Sequence, residues 1–508
     1  MLLANTATLM EIAAATGATL IGSPNVQISS LVYDTRNSIP PQTLFACIKG
    51  LSYDGHDFGE SAASAGASAL LVERQLNIKL PQLLVADTRQ AMGKAAAVIY
   101  GNPSQAMRVI GVTGTKGKTT TTYLIKQLLE KTGKEVGLVG TTGLVIGDQV
   151  DTTPFSTTST PEAPDLQMML ARMVRANCSA AVMEVTSHAA AQARIYGTEF
   201  DVSVFTNIAP DHLDYHGSFN DYLAAKTDFF RYVNQAGVKK NKGAVINCDD
   251  PHWQAFAQAT TLPVITVGVD NGADLQAVNI QVQRGGTRFQ LVGRFGEADV
   301  FMPLPGLFNV YNALCAVGVL LHEGVPLAEI VPALEQLKVV PGRFERIDCG
   351  QNFEVYIDYA HTGPSMENVL RLARSFVQGQ LIVVFGAGGD RPRQRRYEMG
   401  QAAGSLADKV IITSDNPRSE PPMFICAEIA QAVKQSGMPD DQYKVIVDRR
   451  EAIDYAINMA AAGDTIIIAG KGHETYQEVQ GKRSHFDDSE EARRALQERG
   501  VADGSVNC

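Results

Sequence analysis

Long hydrophobic runs are missing from this sequence. No apolar stretch approaches the ~18–20 residues that span a bilayer, which excludes a helical membrane protein. Runs of lysine and arginine are missing as well. Acidic residues outnumber basic ones, 54 to 44, for a formal charge of −10. Such a chain is poorly suited to gripping a nucleic-acid backbone. Cysteine is sparse: seven residues, scattered at 47, 178, 248, 315, 349, 426 and 508, with no CxxC pair. That excludes a disulfide framework or a zinc site and predicts reduced thiols in a cytoplasm. The opening MLLANTATLMEIAAATGATL lacks the basic segment of a signal peptide and predicts a short amphipathic helix. No internal repeat and no low-complexity tract is present, so collagen, coiled coil and disordered chain are excluded. What remains is an ordinary globular composition, 45% hydrophobic and 19% charged, with apolar surface for several cores. Its 508 residues predict two to four domains.

Three blocks follow one another. Residues 1–104 carry short β-like runs (ISSLVYDT, TLFACIKG, ALLVER, QLLVAD) between Ala-rich helical segments, and end in the turn chemistry of Gly101-Asn102-Pro103-Ser104. Residues 105–339 open with MRVIGV, a Gly/Thr loop and a helix through Leu128. Apolar runs recur at VGLVG, AAVMEV, VSVFTN and GAVINC, followed by shorter β-like runs over 262–302 and helical residues 309–336. Residues 340–508 restart the alternation with FEVYIDYA, LIVVFGAGGD, KVIITSDNPR, KVIVD and DTIIIAGKGHE. The pattern predicts an α/β protein of three domains. A smaller α/β domain comes first, then a mostly parallel sheet with helices on both faces, then a second domain of the same alternating kind. In such open sheets ligands bind beyond the carboxyl ends of the strands.

The strongest motif lies between the first central strand and its helix: Gly111-Val112-Thr113-Gly114-Thr115-Lys116-Gly117-Lys118-Thr119-Thr120. Backbone N–H groups there can cradle phosphates, Lys118 can reach the β/γ-phosphates and Thr119 can hold Mg²⁺. Val112 stands where the usual pattern has its first glycine. Two further strands, expected to be adjacent, deliver Glu184 and His212 to the same edge. A carboxylate and an imidazole near phosphates suit a divalent ion, although each taken singly is more often a capping or surface residue. Lys226 falls on a helix, where residue chemistry alone predicts a solvated side chain. In the last block, Arg391, Asp415-Asn416-Pro417-Arg418 and Gly470-Lys471-Gly472-His473-Glu474 follow strands. Guanidinium groups bind carboxylates bidentately, and Asp or Glu accepts from an ammonium. The set complements an amino acid, or equally forms local salt bridges between loops.

In order, VTGTKGKTTT, MEVTSH, FTNIAPDHLDYHG, YLAAKTD, NVYNALCA, VPGRFE, DYAHT, FGAGGDR, DNPR and AGKGHE resemble the Mur ligases over essentially the whole chain. The resemblance implies a UDP-sugar-binding domain, an ATP-binding domain and a Rossmann-like amino-acid-binding domain. It implies an ATP-dependent amide ligase of cytoplasmic peptidoglycan precursor synthesis, working through an acyl phosphate. DHLDYHG, DNPR and GKGHE together imply that it joins meso-2,6-diaminopimelate to UDP-N-acetylmuramoyl-L-alanyl-D-glutamate, with L-lysine as the alternative amino acid. The D-alanyl-D-alanine-adding enzyme, folylpolyglutamate synthase and a non-catalytic nucleotide-binding regulator are the other readings.

Residue by residue, the resemblance assigns Gly114, Thr115, Lys116, Gly117, Lys118, Thr119 and Thr120 to ATP, with Asn309, Arg343 and His361. It gives two Mg²⁺ sites from Thr119, Glu184, His212 and Lys226, the lysine carbamylated by CO₂. It gives the UDP-muramoyl dipeptide Tyr33, Thr35, Ser159, Thr160, Thr186, Gln192 and Arg194. Diaminopimelate receives Arg391, Asp415, Asn416, Pro417, Arg418, Gly470 and Glu474, with Arg418 on its distal carboxylate. Lys118, Lys226, Glu184 and His212 are the expected catalytic groups, and a monomer is expected. Pro364 stands one place later than the family pattern, which leaves the turn after His361 open.

Overall fold

The structure is a computed structural model that describes residues 6–50, 53–151 and 159–500. The chain divides into two compact units. One runs up to Ile280 and includes Phe289–Phe301 and Leu307–Leu337; the other runs from Lys338 and includes Gln281–Arg288 and Met302–Gly306.

The first unit holds two main sheets. The N-terminal one has five strands in the order Thr19–Ile21, Gln82–Leu84, Ala69–Val72, Thr43–Ala46, Ser30–Val32. All pair in parallel except Thr19–Ile21. The opening helix spans Leu9–Thr16, capped reciprocally by Thr8 and Glu11, a capping box that satisfies two otherwise orphaned N–H groups.

The second sheet has eleven strands, and its parallel core runs Val136–Gly140, Ala180–Glu184, Arg108–Thr113, Val202–Phe205, Gly243–Asn247, Val264–Gly268. These strands are apolar almost throughout because helices cover both faces, and such strands do not alternate polar with apolar. The two strands expected to be neighbours, Ala180–Glu184 and Val202–Phe205, instead flank Arg108–Thr113 on either side. Chain order and sheet order differ, and a pattern of apolar runs carries only the first. The register sets Glu184 opposite Val112 and Phe205 opposite Thr113, so both neighbours end level with the start of the Gly/Thr loop. The helical stretch 309–336 is two helices, Leu307–His322 and Leu327–Leu334.

The second unit is built on six strands in the order Glu345–Ile347, Glu354–Asp358, Thr465–Ala469, Leu381–Phe385, Lys409–Ile412, Tyr443–Val445, parallel except for the first. Its two faces separate by alternation. Leu381, Val383 and Phe385 pack with Met366, Met399 and Ile425, whereas Ile382 and Val384 pack with Ile453, Ile457 and Leu496. Asp358, Ala469, Phe385 and Ile412 stand in register at the carboxyl ends. The DYAHT, GKGHE, GAGGDR and DNPR loops therefore leave one edge.

Among the described residues no helix is long and apolar enough to cross a membrane. Cys47, Cys178, Cys248, Cys315 and Cys426 are buried free thiols. Cys349 is disulfide-bonded, which departs from the expectation of reduced thiols throughout. Cys508 lies outside the described residues.

Candidate active site

The Gly/Thr loop is fixed by the strand beside it. Thr115 N–H donates to the Asn207 carbonyl at 2.8 Å. Lys116 N–H donates to Asn207 Oδ1 at 2.9 Å, and Asn207 Nδ2 and Thr206 Oγ1 both donate to the Lys116 carbonyl, at 3.0 and 2.7 Å. Gly114 has φ +152° and an added Cβ would lie 2.0 Å from Thr206 Oγ1, so only glycine fits. The helix Lys118–Lys131 then begins with four threonines at 119–122, poor helix formers. Three of their hydroxyls have partners that offset the propensity: Thr119 donates to Glu184, Thr121 to Asn312 and Thr122 to the Thr119 carbonyl.

Lys226 is not the solvated lysine that residue chemistry predicts. On the helix Phe219–Gln235 it is buried, 1% exposed, and its Nζ donates to the Gly114 carbonyl at 2.8 Å. Lys118 Nζ donates to the same carbonyl at 2.8 Å. Burial, with the Lys118 charge added to it, holds the Lys226 amine well below its ordinary value. A buried, neutral-leaning amine is a nucleophile.

Glu184 is 1% exposed. It accepts from Thr119 Oγ1 and Thr141 N–H, both at 2.9 Å, and from Thr141 Oγ1 at 3.2 Å. Hydroxyl and carboxylate oxygens beside a phosphate loop are the hard donors that suit Mg²⁺. His212 sits in the left-handed region at φ 54°, its ring 4.8 Å from that of His188. The His188 ring also lies tilted against Tyr215 and meets His216 edge-on. Burial, helped by His212, His216 and Arg194, pushes His188 down to about 4. Among the described residues no group of three or more His, Cys, Asp or Glu side chains could hold a metal.

Five residues assigned to the sugar–peptide substrate form one network with Glu184. Thr160 Oγ1 donates to the Glu184 carbonyl at 2.9 Å, and Thr186 N–H donates to Thr160 Oγ1 at 3.1 Å. Ser159 Oγ is 2.7 Å from Thr141 Oγ1. Arg194 donates to the Thr160 carbonyl and to Gln192 Oε1, and pairs with Glu162 at 3.0 Å. Gln192 Nε2 donates to Tyr215 OH at 2.9 Å. Tyr33 OH donates to Asp165 at 3.1 Å; burial pushes Asp165 up to about 6 against that bond. Thr35 is half-buried in the turn that follows.

In the second unit, Asn416 Nδ2 donates to Glu474 at 2.7 Å, and Lys471 Nζ donates to Asn416 Oδ1 at 3.2 Å. Burial and the neighbouring Asp415 carboxylate raise Glu474. Gly470, at φ +115°, lies so close to Asp415 that an added Cβ would be 2.5 Å from Oδ2. Arg418 Nη1 donates to the Gly389 carbonyl at 2.6 Å. Its nearest sequence candidate for pairing, Glu420, is taken by Arg396 at 2.7 Å. Among the described residues neither Arg418 nor Arg391 has a carboxylate within ion-pair distance. The Arg343 guanidinium lies over the Tyr359 ring, which also meets His361 and His473. Pro364 does not disturb this: Thr362 caps the helix Gly363–Arg374 and the proline occupies its first turn, where its missing N–H costs nothing.

Three family models match in succession. They are the Mur ligase family catalytic domain over 28–111, the Mur ligase middle domain over 112–320, and the Mur ligase glutamate ligase domain over 342–472. A UDP-N-acetylmuramoyl-L-alanyl-D-glutamate--2,6-diaminopimelate ligase of Geobacillus thermodenitrificans is 45% identical over 94% of this chain and 96% of its own length. That of Bacillus licheniformis is 42% identical over 94% and 96%. The chain belongs to the Mur ligase family. A solved diaminopimelate ligase structure, 33% identical, matches this Mur ligase with a TM-score of 0.69 over 97% of this chain and 99% of its own.

Residue reasoning missed three supports of the site in this Mur ligase. Thr206 and Asn207 bind the loop backbone, and Asn312 presses its carboxamide against Gly117, 2.4 Å from an added Cβ. Two buried asparagines, 309 and 312, inside the apolar helix LFNVYNALCAVGVLLH were the signal available for the last. Buried amides need partners.

Proposed function

We propose that this Mur ligase adds meso-2,6-diaminopimelate to UDP-N-acetylmuramoyl-L-alanyl-D-glutamate at the expense of ATP, in the cytoplasm and as a monomer. The D-glutamyl carboxylate attacks the γ-phosphorus, the β–γ P–O bond breaks and ADP leaves. The diaminopimelate amine then attacks the acyl carbon, loses its proton, and the C–O bond to phosphate breaks. A carboxylate approaching a triphosphate needs positive charge and donors already in place. Lys118, the N–H groups of 117–120 and the start of the helix at Lys118 supply them. Asn309, Arg343 and His361 would contact the nucleotide. Thr119, Glu184, His212 and a carbamylated Lys226 would hold Mg²⁺, which neutralises phosphate charge when bound. The lowered amine of Lys226 suits reaction with CO₂: its nitrogen forms the N–C bond and releases a proton. Ser159, Thr160, Thr186, Gln192 and Arg194, with Tyr33 and Thr35, would bind the muramoyl dipeptide. The three expected domains, 1–104, 105–339 and 340–508, divide these tasks.

The choice of amino acid rests on Arg418. Its guanidinium is anchored to the Gly389 carbonyl and makes no ion pair among the described residues, near Arg391 and within the electrostatic reach of Asp390 and Glu474. Diaminopimelate is lysine with one more carboxylate, and Arg418 complements that group. The test is amino-acid-dependent phosphate release with ATP, Mg²⁺ and the UDP-muramoyl dipeptide. Release with diaminopimelate, little with L-lysine, and a selectivity reduced roughly 10²-fold or more by Arg418→Ala are expected. Equal release with lysine overturns the specificity, and release with neither overturns the reaction.

A further inference from the structure

Beneath the amino-acid loops lies a charged pair that no assigned contact uses. Arg449 opens the helix Arg449–Met459 and Asp488 opens the helix Asp488–Glu498. Both side chains are wholly buried and joined at 2.7 Å. A cation in the first turn of a helix opposes the helix dipole, and a buried ion pair is seldom a net source of stability. The position therefore invites a reason other than stability.

The remaining N–H groups of Arg449 supply one. Nη2 donates to the Ala469 carbonyl at 2.9 Å and Nη1 to the Ser414 carbonyl at 3.3 Å. Ala469 immediately precedes Gly470, and Ser414 immediately precedes Asp415. The Ala469 carbonyl ends its strand and the Ser414 carbonyl lies two residues beyond the end of its own; the two strands are not neighbours, since Leu381–Phe385 lies between Thr465–Ala469 and Lys409–Ile412. One side chain thus ties together the roots of two loops whose side chains meet at Asn416, Lys471 and Glu474 and whose backbones bridge only further on, at Arg418 and Val479. Burial works against its charge, but Asp488 and, further off, Asp415 and Glu474 outweigh burial.

We propose that Arg449, oriented by Asp488, is a positioning residue that sets the spacing of Asp415–Arg418 and Gly470–Glu474 for the incoming diamino acid. The inference rests on the function proposed above. A planar fork faces the carboxylate with two parallel N–H groups and still reaches both carbonyls; a lysine ammonium is a compact charge on a flexible stem that lacks this fixed geometry.

The experiment uses the full chain and three variants: Arg449→Lys, Asp488→Asn, and the double variant Arg449→Met with Asp488→Leu, an apolar pair that can fill the same space. Phosphate release is measured against diaminopimelate, ATP and the UDP-muramoyl dipeptide in turn, beside thermal melts. The expected result is a KM for diaminopimelate raised about tenfold in every variant that folds, the double variant included. The other two KM values stay within about twofold. Asp488→Asn keeps the shape and one acceptor, so it is the variant that decides if the others do not fold. A folded variant with an unchanged KM for diaminopimelate overturns the proposal, as does an equal rise in all three KM values. Absence of diaminopimelate-dependent release in the unaltered chain overturns the proposed function first, and this inference with it.

Discussion

Lys226 and Lys118 compete for one acceptor, the Gly114 carbonyl, and burial weakens the hold of Lys226 on its proton. Converting Lys226 to a carbamate replaces that competition with attraction. Turnover should therefore fall reversibly in CO₂-depleted buffer and recover on adding bicarbonate, with a carbamate resonance appearing from ¹³C-bicarbonate. Lys226→Met should lower turnover about 10²-fold or more and abolish the resonance. Asp358 carries a second single-residue consequence. Burial pushes its carboxyl up to about 6, outweighing Arg343 and the N–H groups of Phe344 and Ala360. A raised carboxyl binds more protons folded than unfolded between roughly pH 4 and 6, so its contribution to stability falls as pH rises through that window. The unfolding free energy of the unaltered chain minus that of Asp358→Asn should decline from pH 4 to 6 and then level off. A flat difference would mean that Asp358 keeps an ordinary carboxyl.

The loop 114–120 shows the element scale. Gly114→Ala forces a Cβ onto Thr206 Oγ1 and should weaken nucleotide binding by about tenfold or more in the folded variant and lower its melting temperature. Calorimetric titration with a non-hydrolysable nucleotide reads it. Most strands of both units were legible as apolar runs, because strands buried on both faces need no alternation. The loop was legible for the same reason glycines are needed there. The hairpin Gly143–Ile146 with Gln149–Asp151 on the sheet edge was not, being short and partly polar. Nor was the order of the central strands, which depends on crossovers rather than on local pattern. The site was legible where a residue type has one demanding use, as in Lys118 or the DNPR arginine. It was illegible where burial creates the chemistry: a lysine in Tyr222–Thr227 and an arginine in Asp448–Glu451 look solvated until the fold surrounds them.

At the scale of the whole molecule, each unit has its own core. Val109, Met183, Phe205 and Phe229 share one cluster in the first, while the second is built on Val383 and Met399 on one face and Ile382 and Ile457 on the other. Separate cores predict separable unfolding. Scanning calorimetry should resolve two transitions, and diaminopimelate alone should raise only the one carried by the second unit. A single transition shifted as a whole would contradict this. The strand Arg108–Thr113 has a further consequence. It is hydrogen-bonded on both sides and its Val109, Ile110 and Val112 are wholly buried. In heavy water its amides should be among the last to take up deuterium, because they open only with the sheet itself. The glycine-rich segment one residue further on has no such ladder, and beyond the Thr115 and Lys116 bonds to Asn207 its amides at 117–120 have none of the strand's protection. Two isotopic clocks, one very slow and one fast, therefore meet at Thr113. A phosphate seated on the loop would slow the second clock and leave the first where it was.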